Sequence, residues 1–374
     1  MLRLPGSWGK GHTAPMRAGV LYGFGQPIVV EELELDPPTT GEVLVRMAAS
    51  GVCRSDWHAV HGVHPHPLPI VLGHEGSAVV EEVGAEVVGL APGDHVVLSW
   101  LPSCGTCRRC ATGRPARCER LETFDAGYMA DGTTRFHKGD LRIKHNVPSS
   151  FAERSVVPAG TAIKVDPTIP LEQVALLGCA VMTGVGAVFN TARVRPGESV
   201  VVIGCGGVGL SIVQGARIAG ASPIVAVDVV PAKLDLALEL GATDAVLSSP
   251  EGSGEDLPRG VDFVFEALGR PATIELATTL TGQGGTTVLV GMAPPDARVG
   301  LDALRMVYGE RTVTGSWYGS CVPARDFPML AELVQRGALR LEPMIGQTMP
   351  LERINDALSL FERGEERRTV IVHG

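Results

Sequence analysis

Four cysteines lie within fifteen residues of this 374-residue chain. The run CGTCRRC occupies residues 104–110, and Cys118 follows after seven further residues. Zinc binds four thiolates at about 2.3 Å in a closed tetrahedral site that leaves no position open for a substrate. The spacing therefore predicts a structural zinc site, which would organise a local lobe of the protein.

Disulfide bonds are the other common use of closely spaced cysteines. The eight cysteines belong to a long chain whose N-terminus shows no apolar segment followed by a small-residue cleavage site. Export to an oxidising compartment is not expected, so metal ligation is favoured over disulfides. We accordingly expect a cytoplasmic protein.

The length and charge of the chain narrow the classes of partner. A chain of 374 residues exceeds what one hydrophobic core usually supports, so two domains are expected. The net charge is -9, and no Lys/Arg block stands out as a phosphate-binding stripe, so a nucleic-acid partner is not expected. We also expect no apolar stretch of the roughly 18 uncharged residues that a membrane span needs, and hence no membrane partner.

The first part of the chain has the pattern of a small β domain. Short β-branched runs bounded by Gly, Pro and Asp follow Met16, namely MRAGVLYGF, EVLVRMAAS, SAVVEEVG and DHVVLSW. They predict a barrel-like domain that reaches about Ser99. Residues 1–15 lack this pattern and are interpreted as an N-terminal extension. From Pro102 to about Gly160 we predict a mostly irregular segment, whose cysteine lobe would have little core without metal.

The pattern changes at about Leu171, where LEQVALLGCAVMTGVGAVFN is helix-like. Strands then alternate with helices, as in ESVVVI, VGLSIVQGARIAG, PIVAVD, PAKLDLALELG, VDFVFEA and TTVLVG. This alternation predicts a doubly wound parallel sheet. We expect the closing strand RTVIVHG to return to the first domain, which would make that domain discontinuous.

A glycine-rich turn points to a dinucleotide. The sequence GCGGVG at 204–209 lies between a β-branched strand and an amphipathic helix, and Asp228 ends the next strand. Gly204 would allow the tight turn, Gly206 a close approach of pyrophosphate, and Gly209 the packing of helix on strand. A glycine-rich turn beside a solvated aspartate is the alternative interpretation.

The acidic residue also bears on which dinucleotide is bound. Asp228 would accept hydrogen bonds from the adenosine ribose hydroxyls, and its charge would repel a 2'-phosphate. NAD is therefore favoured over NADP. Cys205, at a variable position of the turn, is interpreted as a small buried filler.

Three further residues could hold a second metal ion. A catalytic zinc takes three protein ligands and leaves one position open, and Cys53, His74 and Cys179 are of suitable types. They lie 21 and 105 residues apart, so spacing alone does not distinguish a zinc site from ordinary core residues.

Taken in order, these motifs resemble those of the zinc-dependent alcohol dehydrogenases of the medium-chain dehydrogenase/reductase family. The match runs from about Met16 to the C-terminus, through GVCRSD (51–56), GHE (73–75), the four cysteines, LGC (177–179) and the glycine-rich turn. Ala78 departs from the glycine usual in the family, and only a mild packing change is expected from it.

The resemblance implies an α/β architecture with two domains. A Rossmann doubly wound parallel sheet would form the NAD-binding domain at 181–318. A discontinuous GroES-like β-barrel catalytic domain would take 16–180 and 319–374, with its structural-zinc lobe at about 102–120.

The same resemblance implies two zinc ions and an NAD in each chain. The catalytic zinc would be bound by Cys53, His74 and Cys179, and the structural zinc by Cys104, Cys107, Cys110 and Cys118. NAD would contact Arg54 and Arg368 through its pyrophosphate, Lys233 and Asp228 through its adenosine ribose, Thr183 near its nicotinamide, and Gly204, Gly206, Gly207, Val208 and Gly209. Surface ion pairs are the alternative for the two arginines.

Four residues would support the chemistry. Asp56 would accept the second ring N–H of His74, and Glu75 would lie behind the metal, with surface carboxylates as the alternative. Ser55 would take the proton of the zinc-bound hydroxyl and pass it through the nicotinamide ribose to His58. His58 also belongs to a loop with three other histidines, at 61, 64 and 66, where simple solvation is the alternative and a third metal site is not expected.

The implied reaction is NAD-linked oxidation of an alcohol to an aldehyde or ketone, or the reverse, by hydride transfer from a zinc alkoxide. Trp100, with Trp57, Met182, Met292, Trp317 and Tyr318 as further candidate walls, favours an apolar primary alcohol or aldehyde. The alternatives are a thiol-dependent formaldehyde dehydrogenase acting on an S-hydroxymethyl adduct, and a non-catalytic NAD(H)-binding protein. The three candidate zinc ligands argue against the last. A homodimer is expected by the same resemblance.

Overall fold

The structure is a computed structural model that describes residues 15–249, 256–361 and 367–374. The expected N-terminal extension lies outside these residues, except for Pro15. The strands are β1 (Met16–Leu21), β2 (Val29–Leu35), β3 (Glu42–Gly51), β4 (Ile70–Val71), β5 (Glu75–Val83), β6 (His95–Leu98), β7 (Phe136–Lys138), β8 (Leu141–His145), β9 (Arg154–Pro158), β10 (Ala162–Lys164), β11 (Val200–Ile203), β12 (Ile224–Asp228), β13 (Asp244–Leu247), β14 (Val261–Glu266), β15 (Thr281–Leu289), β16 (Thr312–Gly315), β17 (Ile345–Pro350) and β18 (Arg368–Val372). The α-helices are α1 (Arg54–Val60), α2 (Arg108–Ala111), α3 (Leu121–Asp125), α4 (Leu171–Leu176), α5 (Met182–Gly186), α6 (Gly207–Ala219), α7 (Pro231–Leu240), α8 (Pro271–Leu280), α9 (Ala303–Tyr308), α10 (Pro323–Gln335) and α11 (Ile354–Ser359).

A closed barrel with the strand order β1-β2-β7-β8-β4 lies in the first half of the chain. Phe136 and Ile143, from β7 and β8, are fully buried in its core. The segment from 102 to 160 lies mostly outside helices and strands, as predicted, but it also contains the unpredicted strands β7, β8 and β9. Their sequences FHK, LRIKH and RSVVP are short and interrupted by charges, so they show little of the β-branched alternation on which strand prediction depends.

A second sheet has the order β10-β6-β5-β3-β18-β17, with β9 also paired to β3. Strand β18 runs antiparallel to β3, with Val370 opposite Gly51. The C-terminal strand therefore returns to the sheet of the N-terminal half, as predicted. This return brings Arg368 beside Val52, whose carbonyl accepts a 2.9 Å hydrogen bond from Arg368 Nη1.

The third sheet has the order β13-β12-β11-β14-β15-β16, and each pair of neighbouring strands is parallel. This confirms the predicted doubly wound sheet. The chain order reverses between β11 and β14, and ligands of such sheets bind at this switch point, outside the carboxyl ends of the strands. The 204–209 turn follows β11 at that edge, and Asp228 ends β12 beside it.

One continuous helix, Leu171–Ala192, joins the two halves of the molecule. It consists of α4, a π-helical turn at Leu177–Val181, α5 and a second π-helical turn at Ala187–Ala192. The expectation that no uncharged stretch reaches about 18 residues is wrong, since this helix is long and apolar enough by composition to span a membrane. However, 78% of its most apolar window is buried inside the protein, where it packs as a core helix.

Candidate metal centres and cofactor site

The three candidate catalytic ligands come together in the structure. One sulfur or ring-nitrogen atom from each of Cys53, His74 and Cys179 lies within 4.8 Å of the others, and all three side chains are buried. Cys53 directly precedes α1, His74 directly precedes β5, and Cys179 lies in the first π-helical turn. Two sulfurs and one imidazole form a donor set that zinc accepts while one position stays open, so the residues fit the metal.

Asp56 joins two of these ligands. Its Oδ1 lies 3.0 Å from His74 Nδ1, and its Oδ2 accepts the backbone N–H of Cys53 at 2.9 Å. Asp56 is 1% exposed, so it is not a surface carboxylate. Because Nδ1 donates to Asp56, the other ring nitrogen of His74 is left with a lone pair that a metal can take.

Glu75 directly follows His74, is fully buried and pairs with a cation. Its Oε1 lies 3.3 Å from Arg368 Nη2 and accepts the backbone N–H of Ala180 at 3.2 Å, whereas its Oε2 has no hydrogen-bond partner among the described residues. A Cβ on Gly51 would lie 2.0 Å from Oε2, so the absence of a side chain there makes room for the carboxylate. Arg368 thus forms a buried ion pair, which the sequence pattern did not reveal.

Burial and neighbouring charges shift the pKa values of side chains at this centre. Burial raises the pKa of Glu75 to about 7. Burial acts to lower the pKa of His74, but the charges and hydrogen bonds of Asp56 and Cys53 together outweigh it and raise that pKa well above its ordinary value. A hydrogen bond from Cys179 lowers the pKa of Cys53 well below its ordinary value, so one thiolate is already favoured before a metal binds.

The four-cysteine cluster forms a second candidate centre. Sulfur atoms of Cys104, Cys107, Cys110 and Cys118 lie within 4.8 Å of one another. Backbone N–H groups donate to these sulfurs. The N–H of Cys107 donates to Cys104 Sγ at 3.3 Å, and the N–H of Arg120 donates to Cys118 Sγ at 3.4 Å. Such bonds favour thiolates, and four converging thiolates fit a closed zinc site.

Ser55 and His58 lie on α1, directly beside the candidate catalytic centre. Ser55 Oγ is 3.7 Å from Cys53 Sγ. His58 lies three residues further along the helix, so the two side chains share a face. Burial, aided by the charge of His64, lowers the pKa of His58, which favours the neutral ring as a proton acceptor at neutral pH. His64 Nε2 is buried, and no group in the described part of the chain forms a hydrogen bond with it.

Aromatic side chains border the centre on another side. The Trp100 ring lies edge-on to His74, with 6.5 Å between ring centroids. Trp317 and Tyr318 pack against Trp100 at 5.5 and 4.3 Å. These three of the expected walls are brought together. Of the others, Met182 is buried in the main core, Met292 is 44% exposed, and Trp57 stacks on His61.

The glycine-rich turn has the backbone that a dinucleotide site requires. Gly204 has φ of 94°, in the left-handed region that favours glycine. A Cβ on Gly209 would lie 1.8 Å from the Gly204 carbonyl oxygen, so only glycine allows this approach of helix and strand. A Cβ on Gly206 would meet no protein atom within 4 Å, which leaves space in front of the N-terminus of α6. Gly207 and Val208, in the first turn of α6, are partly exposed there.

The remaining cofactor candidates differ in their exposure and contacts. Asp228 is 8% exposed, and its Oδ2 accepts the backbone N–H of Cys205 at 2.7 Å, while Lys233 is partly exposed in the first turn of α7. Thr183 is partly exposed on α5, which packs against α6. Arg54 is exposed, and its guanidinium lies 5.6 and 5.7 Å from the rings of Trp57 and Phe361.

Sequence reasoning also missed a second polar contact at the centre. The Tyr318 hydroxyl donates to the carbonyl of Gly178, directly before Cys179. The sequence suggests Tyr318 only as a pocket wall, because nothing in its local sequence indicates a partner 140 residues away.

Comparisons with known proteins identify the family to which the chain belongs. The family model described as "Alcohol dehydrogenase GroES-like domain" matches residues 39–167, and that described as "Zinc-binding dehydrogenase" matches residues 207–336. The chain is 40% identical to a putative alcohol dehydrogenase D of Mycobacterium tuberculosis, covering 95% of this chain and 99% of that protein. It is 38% identical to an S-(hydroxymethyl)glutathione dehydrogenase of Escherichia coli, with 95% and 99% covered.

A solved structure extends the agreement to the whole fold. The chain superimposes on benzyl alcohol dehydrogenase from Acinetobacter calcoaceticus with a TM-score of 0.90, at 32% identity and with 97% and 100% of the two chains covered. The protein is thus an oxidoreductase that acts on alcohols, with zinc and a nicotinamide dinucleotide as cofactors. The chain belongs to the zinc-dependent alcohol dehydrogenases of the medium-chain dehydrogenase/reductase family.

Proposed function

We propose that this enzyme interconverts apolar primary alcohols and aldehydes with NAD as its hydride carrier. The observation that carries the proposal is the aromatic wall formed by Trp100, Trp317 and Tyr318 beside His74. Such a wall favours a flat or extended apolar group and limits branching next to the reacting carbon. The benzyl alcohol dehydrogenase named above is consistent with an aromatic substrate of this kind.

The zinc ligands are proposed to be Cys53, His74 and Cys179 at the catalytic centre, and Cys104, Cys107, Cys110 and Cys118 in the lobe. When bound, zinc makes a substrate hydroxyl acidic and polarises a carbonyl, and NAD supplies the hydride acceptor. Asp56 holds His74 in the tautomer that ligates, and Glu75 with Arg368 balances charge behind the ligands.

The chain's own residues would move the substrate proton. Ser55 Oγ, beside Cys53 on the face of α1 that it shares with His58, accepts the hydroxyl proton of the alcohol. The imidazole of His58, favoured in its neutral form, takes the proton onward towards solvent. In the reverse direction the same two groups return a proton to the product.

NAD is proposed rather than NADP because of Asp228. Its carboxylate lies beside the glycine-rich turn and is 8% exposed. It would accept ribose hydroxyls and repel a 2'-phosphate. We further propose that Arg54, Lys233, Thr183 and Arg368 contact the cofactor. The two cation–π contacts of Arg54 hold its guanidinium and leave its charge for a pyrophosphate.

We also propose a division into domains at 16–180 with 319–374 and at 181–318. The pairing of β18 with β3 supports the discontinuous domain.

We propose in addition that the enzyme is a cytoplasmic homodimer. Strand β16 ends the order of the parallel sheet, and the adjacent α9 exposes Leu304, Val307 and Tyr308 by 66%, 76% and 80%. An exposed apolar patch beside a sheet edge is suited to pairing across a two-fold axis. Sedimentation equilibrium should give a dimer for the wild type and a monomer for Val307→Asp. A monomeric wild type would contradict the proposal.

The substrate proposal is tested with a panel of straight-chain, aromatic and terpenoid alcohols on the zinc-replete enzyme, with NAD or NADP. A second arm adds formaldehyde with and without a low-molecular-weight thiol. We expect NADH formation from primary alcohols without thiol. Turnover confined to formaldehyde plus thiol would contradict the proposal and support the S-hydroxymethyl adduct instead. Trp100→Ala should lower kcat/KM for small primary alcohols more than for bulky ones.

A further inference from the structure

Tyr318 links a distant segment to the catalytic centre. It is 2% exposed, and its hydroxyl donates a 2.5 Å hydrogen bond to the backbone carbonyl of Gly178. Gly178 directly precedes Cys179, and both lie in the π-helical turn Leu177–Val181. A change in the position of the Gly178 carbonyl would rotate the same peptide unit that carries the Cys179 amide.

The π-helical turn explains why a side-chain donor is useful at this point. Backbone bonds in a π-turn run from residue i to residue i+5, so one carbonyl of the turn loses the amide that an α-helix would provide. A buried carbonyl without a donor costs about 1–3 kcal/mol. The Tyr318 hydroxyl donates to the Gly178 carbonyl of this turn from outside the helix. Burial raises the pKa of Tyr318 well above its ordinary value, so the hydroxyl keeps its proton.

The backbone around Tyr318 is built to present this hydroxyl. Tyr318, Gly319 and Ser320 have φ of 49°, 63° and 51°, three successive left-handed residues of which two are not glycine. Such conformations persist only where surrounding contacts impose them. Here a Cβ on Gly186 would lie 2.6 Å from the Gly319 oxygen, and Asn190 Nδ2 donates to that same oxygen at 3.1 Å.

We propose that Tyr318 is a positioning residue for the catalytic zinc ligand Cys179, acting through the carbonyl of Gly178. The inference rests on the proposed assignment of Cys179 as a ligand. The strained turn at 318–320 follows the last strand of the parallel sheet. It holds the Tyr318 hydroxyl against the π-helical turn that carries Cys179. Loss of the Tyr318 hydroxyl should weaken the binding of the zinc ion by Cys179.

Tyr318→Phe tests this role, because it removes the hydroxyl but keeps the ring that packs 4.3 Å from Trp100. Zinc release from the full-length enzyme is followed with a chromophoric chelator. The phase of zinc release that the wild type shows and Cys179→Ser lacks is assigned to the ion at the catalytic centre. The matched control is Tyr128→Phe, which also loses one phenol hydroxyl but keeps the ring that contacts Lys144.

We expect Tyr318→Phe to release the catalytic ion about 10-fold faster or more, as is typical when a supporting hydrogen bond of a metal ligand is removed. The release rate of the structural zinc ion and the midpoint of thermal unfolding should be the same in Tyr318→Phe as in Tyr128→Phe. The visible bands of cobalt at the catalytic site should shift in Tyr318→Phe only.

Three results would overturn the inference. The first is an unchanged release rate and cobalt spectrum in Tyr318→Phe. The second is faster release of both ions together with a lowered thermal midpoint, which would indicate general loosening of the fold. The third is a wild-type enzyme with no zinc at the catalytic centre, which would contradict the proposed function as well. If the wild type binds two zinc ions and Tyr318→Phe releases them at the wild-type rate, only the inference about Tyr318 is contradicted.

Discussion

His74 and Asp56 are joined by a 3.0 Å hydrogen bond at a position where both side chains are buried. The second carboxylate oxygen of Asp56 accepts the backbone N–H of Cys53, so one side chain orients two candidate ligands. This double role distinguishes Asp56 from a simple partner of a histidine.

Asp56→Asn should weaken zinc binding at the catalytic centre by about 10- to 100-fold. An asparagine has one acceptor oxygen and one amide, so it can serve either His74 or Cys53 as an acceptor but not both. The measurement is zinc affinity by competition with a chelator, with the exposed Asp140→Asn as control. Unchanged affinity would show that the carboxylate does not orient the ligands.

Cys110→Ser should reduce the zinc content from two ions to one per chain. Most residues from 103 to 114 are exposed, so the lobe has few apolar contacts that could replace the metal. We also expect faster proteolysis within 102–120. Zinc analysis and limited proteolysis check this, with the buried Cys321→Ala as a control that should keep both ions. Two ions in Cys110→Ser would contradict a four-thiolate site.

Two glycines of the dinucleotide turn should respond differently to alanine. A Cβ at position 209 would lie 1.8 Å from a backbone oxygen, so Gly209→Ala should cost about 1–3 kcal/mol of stability. A Cβ at position 206 would meet no protein atom within 4 Å, so Gly206→Ala should keep the thermal midpoint but bind NAD more weakly. Equal thermal losses in the two variants would contradict this division of roles.

Asp228→Asn should lower the preference for NAD over NADP by at least about 10-fold, because the variant removes a charge that would repel a 2'-phosphate. The replacement is nearly isosteric, but its one acceptor oxygen can serve either the Cys205 N–H or the N–H groups of Val229 and Val230, so the thermal midpoint is measured as well. The ratio of kcat/KM for the two cofactors is the measurement. A ratio equal to that of the wild type would mean that another residue sets the cofactor preference.

His145 should make the fold sensitive to acid. Its Nε2 accepts the backbone N–H of Arg135 at 2.8 Å, and burial lowers the pKa of His145 to about 3. In the unfolded chain His145 is protonated below about pH 6.5, whereas in the folded chain it stays neutral down to about pH 3. The contribution of the neutral ring to the free energy of unfolding is therefore fully present above about pH 6.5 and is lost as the pH falls towards about 3.

At pH 5 this difference amounts to about 2 kcal/mol. His145→Gln keeps an acceptor for Arg135 but does not titrate, so its thermal midpoint should fall less between pH 7.5 and pH 5 than that of the wild type. Because the zinc ligands are the same in both proteins, their own pH dependence cancels in the comparison. Parallel losses in the two proteins would contradict the assignment.

Much of the architecture could be predicted where the local pattern is strong. The β-branched runs from β11 to β15 and their intervening helices predicted the parallel sheet, because buried parallel strands are continuously apolar. Strands β7 and β8 were missed, since their residues are mostly polar and they form only because the barrel needs them to close. The apolar helix Leu171–Ala192 was predicted as a helix, but its uncharged length was underestimated.

The sequence by itself determined what depends on a few neighbouring residues. The four cysteines of the lobe are close along the chain, and the glycine-rich turn needs only its own residues to make a tight bend, so both could be recognised without a fold. Resemblance to a family added the candidate roles of the remaining ligands.

Only the tertiary structure decided which distant groups meet. Cys53, His74 and Cys179 converge because the start of a helix, the start of a strand and a π-helical turn lie side by side. Arg368 reaches Glu75 because β18 pairs with β3. Tyr318 reaches Gly178 across 140 residues for the same reason. Such contacts depend on how sheets and helices pack, which is set by the burial of the whole chain rather than by any local spacing.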